Sequence, residues 1–364
     1  MRKATCAVLS SICLLGAACG GDDKDGGGDN SGEERRLVLF HTNDEHSHLF
    51  GFAPELDDFP LPTEPGDGAI VGNIARRAEV LDQERAALAD DGIDSLTVSA
   101  GDQTQGALPQ IAFATGSPDF TIMAQIGYDI MCPGNHEFDL GPEAYAAAIE
   151  AVPDMPPIVS TNIHFSGDSD GDDALEALYG DGLSGSRITP YQILETPGGI
   201  RVGFIGIMGV NAAFVAPNKT PVLFSGDPAD EGDQAAVLPA LYADLQPAVD
   251  ALRDEGADVV VALSHSGVDL ATPENGDDWN IAQNVSGIDV IVSGHTHTEV
   301  DDAIVVQDPE GSDVTIVQAG SYGRFLGRVE LVLPADGGRP TLDTYNLLPI
   351  DDTIVPSDTG ITDE

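Results

Sequence analysis

Five times in this chain a short run of β-branched and apolar residues breaks off into aspartate, asparagine or histidine, and no other feature restricts the fold as much. Leu37 to Phe40 leads into His41-Thr42-Asn43-Asp44-Glu45-His46, Ser95 to Ser99 into Ala100-Gly101-Asp102, and Ile130 to Cys132 into Pro133-Gly134-Asn135-His136-Glu137. Further on, Asp258 to Leu263 leads into Ser264-His265, and Asp289 to Val292 into Ser293-Gly294-His295-Thr296-His297. Two more runs, Val202 to Ile207 and Val314 to Val317, share the composition, and helical stretches such as Ile74 to Asp90 and Gln234 to Glu255 alternate with them. Unbroken apolar runs of this kind form strands covered on both faces, and their alternation with helices predicts an α/β domain. It spans residues 37–350 without an internal linker or repeat. In open α/β sheets ligands bind beyond the carboxyl ends of the strands, so five segments remote in sequence are expected to converge on one crevice. Glycines before Asp102, Asn135 and His295 are expected to permit tight turns there.

Charge narrows the partners. Asp and Glu number 62 against 15 Lys and Arg, a formal net charge of −47. Binding to a nucleic acid polymer runs on clustered bases that displace counterions, and this chain lacks them. The imbalance reads as a solvated acidic surface.

The two ends read as address and tether. Met1-Arg2-Lys3 is basic, Ala4 to Ala18 is almost wholly apolar, and Gly16-Ala17-Ala18 precede Cys19. That apolar run is shorter than the roughly 20 residues a membrane span needs. Residues 1–19 are therefore expected to be a cleaved export signal. Its end resembles a bacterial lipoprotein box, with Gly16 where leucine is usual, and this predicts lipidation at Cys19. The Gly/Asp-rich stretch 20–36 becomes a flexible tether. The expected location is periplasmic or cell-surface, with the membrane contacted only through the lipid anchor. Cys6 and Cys13 leave with the signal, so Cys132 stands alone and is expected to be a packed small residue. Ser166 to Asp173 hints at a calcium loop but puts Asp173 where that loop turns on glycine and Tyr179 where it ends on glutamate, so it reads as a solvated loop. The Pro-rich loop Phe52 to Pro65 follows the first motif and is expected to border the site.

The donors at the strand ends are Asp44, His46, Asp102, Asn135, His265, His295 and His297. Seven exceed the three or four that a single catalytic zinc takes. With Asp102 bridging, they divide into Asp44, His46 and His297 on one ion and Asn135, His265 and His295 on the other. Imidazole, carboxylate and amide oxygen suit manganese, zinc, cobalt or iron(II). Two cations about 3.5–4 Å apart hold a hydroxide and clamp the oxygens of an in-line phosphoryl displacement.

Asp44-x-His46, Gly101-Asp102, Gly134-Asn135-His136-Glu137, His265 and Gly294-His295-Thr296-His297 together resemble the calcineurin-like metallophosphoesterases. The longer strings HTNDEHSH, GDQTQG, GNHEFD, SHSG and VQAGSYGRFLGRVEL are similar to the catalytic domain of the bacterial and animal 5'-nucleotidases. The resemblance covers Leu37 to Pro349 and implies a four-layer αββα sandwich of two mixed sheets, two divalent metal ions divided as above, and a catalytic pair, His136 and Asp139. It implies hydrolysis of a small phosphorylated substrate, a nucleotide or similar ester, by a metal-bridging hydroxide, with Asn135 and His136 touching the phosphate. His136, oriented by Asp139, would stabilise developing charge and protonate the departing alkoxide. The bland alternatives are that His136 only orients Asn135 and that Asp139 only caps a helix Pro142 to Val152. Trp279 and Tyr322 could meet an organic leaving group, although packing is the plainer role.

Family members usually continue through a linker helix into a second domain that stacks the base. The acidic tail 351–364 resembles the start of that linker, so poor discrimination between bases is the expectation. The same scaffold could instead act on a cyclic nucleotide, a nucleotide-sugar pyrophosphate or a sulfur ester. A tethered binding protein without catalysis is the remaining reading, which the loss of one donor would have favoured.

Overall fold

The computed structural model describes residues 34–54, 69–167, 171–181, 186–227 and 236–357. The segment expected to be an export signal, with Cys19, most of the expected tether, most of the Pro-rich loop, the middle of the Ser166–Asp173 insert and residues 358–364 lie outside the described residues.

Alternation along the first strand, β1 (Arg35–Thr42), already dictates the layers. Successive side chains of a strand point to opposite faces. Leu37 and Leu39 enter one apolar cluster, while Val38 and Phe40 enter another with Leu81, Phe120 and Tyr145 from helices. Strand β10 (Val259–His265) does the same from the opposite side. Val259, Val261 and Leu263 join Leu37 and Leu39, whereas Val260 and Ala262 pack with Leu241, Leu245 and Ile281 of an outer helical layer. Three cores between four layers make an αββα sandwich.

Among the described residues one sheet contains, besides β1, strands β2 (Asp94–Ala100), β3 (Ile130–Cys132), β4 (Ile158–Val159), β6 (Ile188–Thr189), β14 (Phe325–Leu333) and β15 (Thr341–Pro349). Its order is β15-β14-β1-β2-β3-β4-β6, parallel from β1 to β6 and antiparallel at β14 and β15. The second sheet adds to β10 the strands β7 (Tyr191–Glu195), β8 (Arg201–Met208), β11 (Val290–Ser293), β12 (Ile304–Gln307) and β13 (Asp313–Val317), in the order β12-β13-β11-β10-β8-β7. There β8, β10, β11 and β13 are parallel and the two edges antiparallel. A two-stranded pairing, β5 (Ile163–His164) with β9 (Leu223–Phe224), stands apart.

Helix Ile74–Asp90 falls where the pattern puts it, started by Asn73, whose side chain accepts from the backbone N–H of Ala75 at 2.9 Å and Arg76 at 3.3 Å. The helix read as Gln234 to Glu255 runs Val237–Asp254, and the one read as Pro142 to Val152 runs Pro142–Glu150. Cys132 is buried between the sheets, in keeping with a packing role. Around the acidic insert, the carboxylate of Asp172 accepts from the Ser166 backbone N–H at 2.8 Å and hydroxyl at 3.0 Å.

Candidate metal centre

The five strands that carry donors are β1, β2 and β3 of one sheet and β10 and β11 of the other, and their carboxyl ends meet. The loop after β1 is laced to the loop after β2: Asp44 donates its N–H to the Gly101 carbonyl and His46 to the Asp102 carbonyl, both at 3.0 Å. The boundaries differ slightly from the sequence reading, since His41 and Thr42 continue β1 and His265 is the last residue of β10.

Backbone strain gathers here. Asp44 (φ 51°), His46 (50°), Asp102 (51°), His295 (71°) and His297 (53°) all adopt the left-handed region that disfavours a Cβ. Such conformations persist where surrounding bonds over-determine them, and they cluster at functional sites. Asn43 supplies one such brace: its amide donates to Asp44 Oδ2 at 2.7 Å and the Gly320 carbonyl at 2.6 Å, while its Oδ1 accepts from Ala319 N–H at 2.9 Å. The expected glycine turns prove to be of two kinds. Gly101 does turn, at φ 90°. Gly134 and Gly294 instead permit close approach: a Cβ on Gly134 would lie 2.2 Å from Asp102 Oδ1, and one on Gly294 2.5 Å from the Ala100 carbonyl.

The donor atoms fit cations. His46 Nδ1 donates to the Gln105 carbonyl and His265 Nδ1 to the Ala100 carbonyl, each at 2.9 Å, so in both rings the Nε2 lone pair is the one turned inward. His295 Nε2 donates to Asn211 Oδ1 at 2.9 Å, which leaves its Nδ1 as the basic nitrogen. Inside, His46 Nε2 and His297 Nε2 stand 3.0 Å apart, with Asp44 Oδ1 3.3 Å from the latter. His265 Nε2 is 3.0 Å from Asp102 Oδ2 and 3.2 Å from Asn135 Oδ1. Lone pairs and carboxylates aimed at one another repel unless positive charge lies between them. Burial opposes protonation of His265, but Asp102 and Asp44 outweigh it and raise the imidazole to about 10. Burial likewise opposes ionisation of Asp102, yet His265 and His46 carry it well below the usual carboxylate range. For His46 burial wins and lowers the pKa, and it takes His295 down to about 4. Three groupings, Asp44–His46–His297, His46–Asp102–His136 and Asp102–His265–His295, each bring their donor atoms within 4.8 Å of one another. The first and third hold the imidazoles that the sequence reading assigned to separate ions, the second crosses between them through His46, Asp102 and His136, and Asn135 lies beside the third.

His136 and Asp139 lie at the mouth. Asp139 Oδ2 accepts from His136 Nδ1 at 2.7 Å, and that bond, with burial opposing it, raises the imidazole to about 9. Helix Pro142–Glu150 starts at Gly141 without a side-chain cap, so Asp139 does not serve as its cap. The ring of His136 stands edge-on to His46, centroids 5.0 Å apart, and its backbone N–H donates to Asp102 Oδ1 at 2.8 Å. The site opens into a cavity of about 590 Å³ walled by His46, Asp102, Asn135, His136, His295 and His297.

Other wall residues escaped the sequence reading. Asn211 lies just past β8, behind Gly209 and Val210, so that strand looked as if it delivered nothing. His48 was visible in the first motif and went unassigned; its ring packs on Tyr322 at 4.3 Å. Tyr322 lines the cavity as well as packing on Phe52, whereas Trp279 packs against the outer core. Glu137, next to His136 in the third motif, is a fully buried latch. Its carboxylate accepts from the N–H groups of Asp102 (3.0 Å), Gly134 (2.7 Å) and Thr104 (3.1 Å), tying the β2 loop to the β3 loop.

A four-layer αββα domain that gathers carboxylates, imidazoles and an amide at one mouth defines a metallohydrolase. Residues 37–299 match the calcineurin-like phosphoesterase family, and the chain belongs to that family of metal-dependent phosphoric ester hydrolases. It is 30% identical to the 5'-nucleotidase of Bos taurus over 314 residues, which is 83% of this chain and 47% of the relative. It is 28% identical to a trifunctional nucleotide phosphoesterase of Bacillus subtilis (strain 168), over 87% of this chain and 19% of that one. Among solved structures, a 5'-nucleotidase precursor from Thermus thermophilus superposes with a TM-score of 0.68 at 29% identity, covering 89% of this chain and 56% of that one. The chain thus spans about half the length of the 5'-nucleotidases it matches.

Proposed function

We propose that the protein is an exported, dinuclear-metal phosphomonoesterase that hydrolyses nucleotides or similar small phosphate esters. The observation that carries this reading is the inward-facing set of donors from five strand ends, with His136 on the same cavity and Asp139 bonded to its ring. Asp44, His46 and His297 would hold one ion, Asn135, His265 and His295 the other, and Asp102 would serve both. When bound, such a pair supplies Lewis acidity and neutralises phosphoryl charge.

The chain's own residues account for the rest. Asn135 and His136 bind the phosphoryl oxygens from the mouth side. As the bond from phosphorus to the ester oxygen breaks and water adds, His136 gives its proton to the departing oxygen, and Asp139 holds the ring in place through Nδ1. The nucleotide substrate is supported by the names of the relatives at 28–30% identity. Export and lipidation at Cys19 rest on the leader pattern alone; among the described residues no helix is long and apolar enough to cross a membrane. Replacing Cys19 with Ala should move the protein out of the membrane fraction.

The test is a panel of nucleoside monophosphates, cyclic nucleotides, nucleotide sugars and a thiosulfate ester, run with and without chelator. Phosphate release from the monophosphates that stops on chelation and returns with manganese, cobalt or zinc is the expected result. Release confined to another class would redirect the reading to that bond.

A further inference from the structure

The loop after β1 needs holding from outside, and part of the hold comes from behind it. Asp44 (φ 51°), His46 (50°) and Ser47 (58°) all lie in the left-handed region, which residues other than glycine keep only where their surroundings impose it. On one side the restraint is backbone: Ser47 donates its N–H to the Gln103 carbonyl at 3.1 Å, continuing the bonds that Asp44 and His46 make to the β2 loop.

Glu45 supplies the other side. It stands between two metal-type donors, yet its carboxylate turns back among the helices and the residue is 4% exposed. Arg77 of helix Ile74–Asp90, only 3% exposed, donates from Nη1 to Glu45 Oε1 at 3.2 Å. The Thr42 hydroxyl donates to the same oxygen, and that of Ser99, on β2, to Oε2 at 3.4 Å. Tyr128 joins the two partners of Glu45: its hydroxyl is 2.7 Å from Thr42 Oγ1, and the Arg77 guanidinium lies 5.8 Å from its ring centroid. Asp119 of helix Pro118–Gln125, itself buried, extends the hold by accepting from the Ser47 hydroxyl at 3.1 Å.

An ion pair this deep is a poor way to stabilise a fold. Stripping water from both charges costs about what their attraction returns, and apolar or neutral side chains of similar volume often serve as well. What the pair does provide is direction, and here it fixes the one residue between Asp44 and His46. Resting on the dinuclear centre proposed above, we infer that Glu45 and Arg77 are positioning residues, whose pairing sets the loop so that Asp44 and His46 reach the first ion together. Its loss weakens that ion and spares the one assigned to Asn135, His265 and His295.

The experiment titrates metal-free wild type, Glu45→Gln/Arg77→Met, Arg77→Lys and His297→Ala with manganese, followed by calorimetry and electron paramagnetic resonance. Wild type should fill to the spectrum of a coupled pair. In the double variant one ion should be held as in His297→Ala, where only the second pair of imidazoles is complete, and the other at least tenfold more weakly than in wild type. At intermediate manganese its spectrum should be that of an isolated ion, while its metal-free melting temperature does not fall. Arg77→Lys keeps a cation beside Glu45 and should recover most of the affinity. Two unchanged affinities overturn the inference. So does equal weakening of both ions with a lower melting temperature, which would make the pair a support of the fold at large. If the double variant does not fold, Glu45→Gln alone, which keeps an acceptor for Thr42 and Ser99, is read by the same outcomes. A wild type that binds one ion removes the dinuclear reading, and the positioning role then stands if the double variant weakens that ion and falls if it does not.

Discussion

His136 meets the site through two separate groups, and substitution can take them apart. The backbone N–H, which donates to Asp102, survives replacement by alanine, whereas the imidazole that Asp139 orients is lost. A nucleoside 5'-oxygen leaves badly unless protonated, while p-nitrophenolate leaves unaided. General-acid help contributes roughly 10²–10⁴-fold where it is needed. His136→Ala should slow nucleoside monophosphate hydrolysis by about that factor and p-nitrophenyl phosphate hydrolysis by distinctly less, at unchanged metal content. Equal slowing would make His136 a stabiliser of phosphoryl charge, and falling metal content would place it among the ligands. A different histidine bears on acid stability. His41 is fully buried on β1 with both ring nitrogens unpartnered, stacked on Tyr345 and lying over Gly327 of β14. Burial lowers its pKa from 6.5 to about 3. Between those values the unfolded chain takes up the proton and the folded one does not, so His41 erodes stability as pH falls below about 6.5. The slope from one such group is up to about 1.4 kcal/mol per pH unit. His41→Leu, apolar and of similar volume, should flatten the acid limb of the melting-temperature profile by that increment; a limb parallel to wild type would show that His41 is not titrating.

The strand-end loops carry the chemistry, and they were only partly legible in the sequence. The central strands were found because residues covered on both faces must be apolar, and the donors stood out as polar breaks in those runs. Several ladder members left no such trace: β4 and β6 are two residues each, too short for any periodicity, and β15 has an alternating, half-exposed composition. The left-handed backbone at Asp44, His46 and His297 was illegible because no glycine announces it; bonds from Asn43 and the neighbouring loops impose it. Asn211 was hidden because two apolar-compatible residues separate it from β8, and its partner His295 is remote in sequence. Gly134 shows how little slack these loops have. Its missing Cβ would sit 2.5 Å from the Asp102 backbone nitrogen, and Asp102 cannot retreat while Glu137 holds that same nitrogen. Gly134→Ala should therefore cut metal affinity at least tenfold, the size of effect seen when groups that orient metal ligands are lost. Unaltered metal binding by titration calorimetry would mean that the loop yields more easily than this geometry allows.

At the scale of the whole molecule, the centre works inside a field set by a net charge of −47. An anionic phosphate ester would be repelled at long range and held at the mouth by Asn135, His136 and the cations of the proposed centre. Added salt screens that repulsion, so the Michaelis constant should fall as ionic strength rises from low values before direct competition reverses it. A constant that rises from the first addition would mean that the local positive field already reaches into solution. In the proposed centre two overlapping donor sets share Asp102, its carboxylate 3.0 Å from His265 and 3.7 Å from His46. The most direct test counts metal: elemental analysis of protein loaded with manganese or zinc and stripped of loosely held ions by gel filtration, for wild type, His297→Ala and Asp102→Ala. Two ions per chain in the wild type, about one in His297→Ala and neither held tightly in Asp102→Ala is the predicted series. A single ion in the wild type, or two retained after Asp102 is removed, would contradict a shared dinuclear centre.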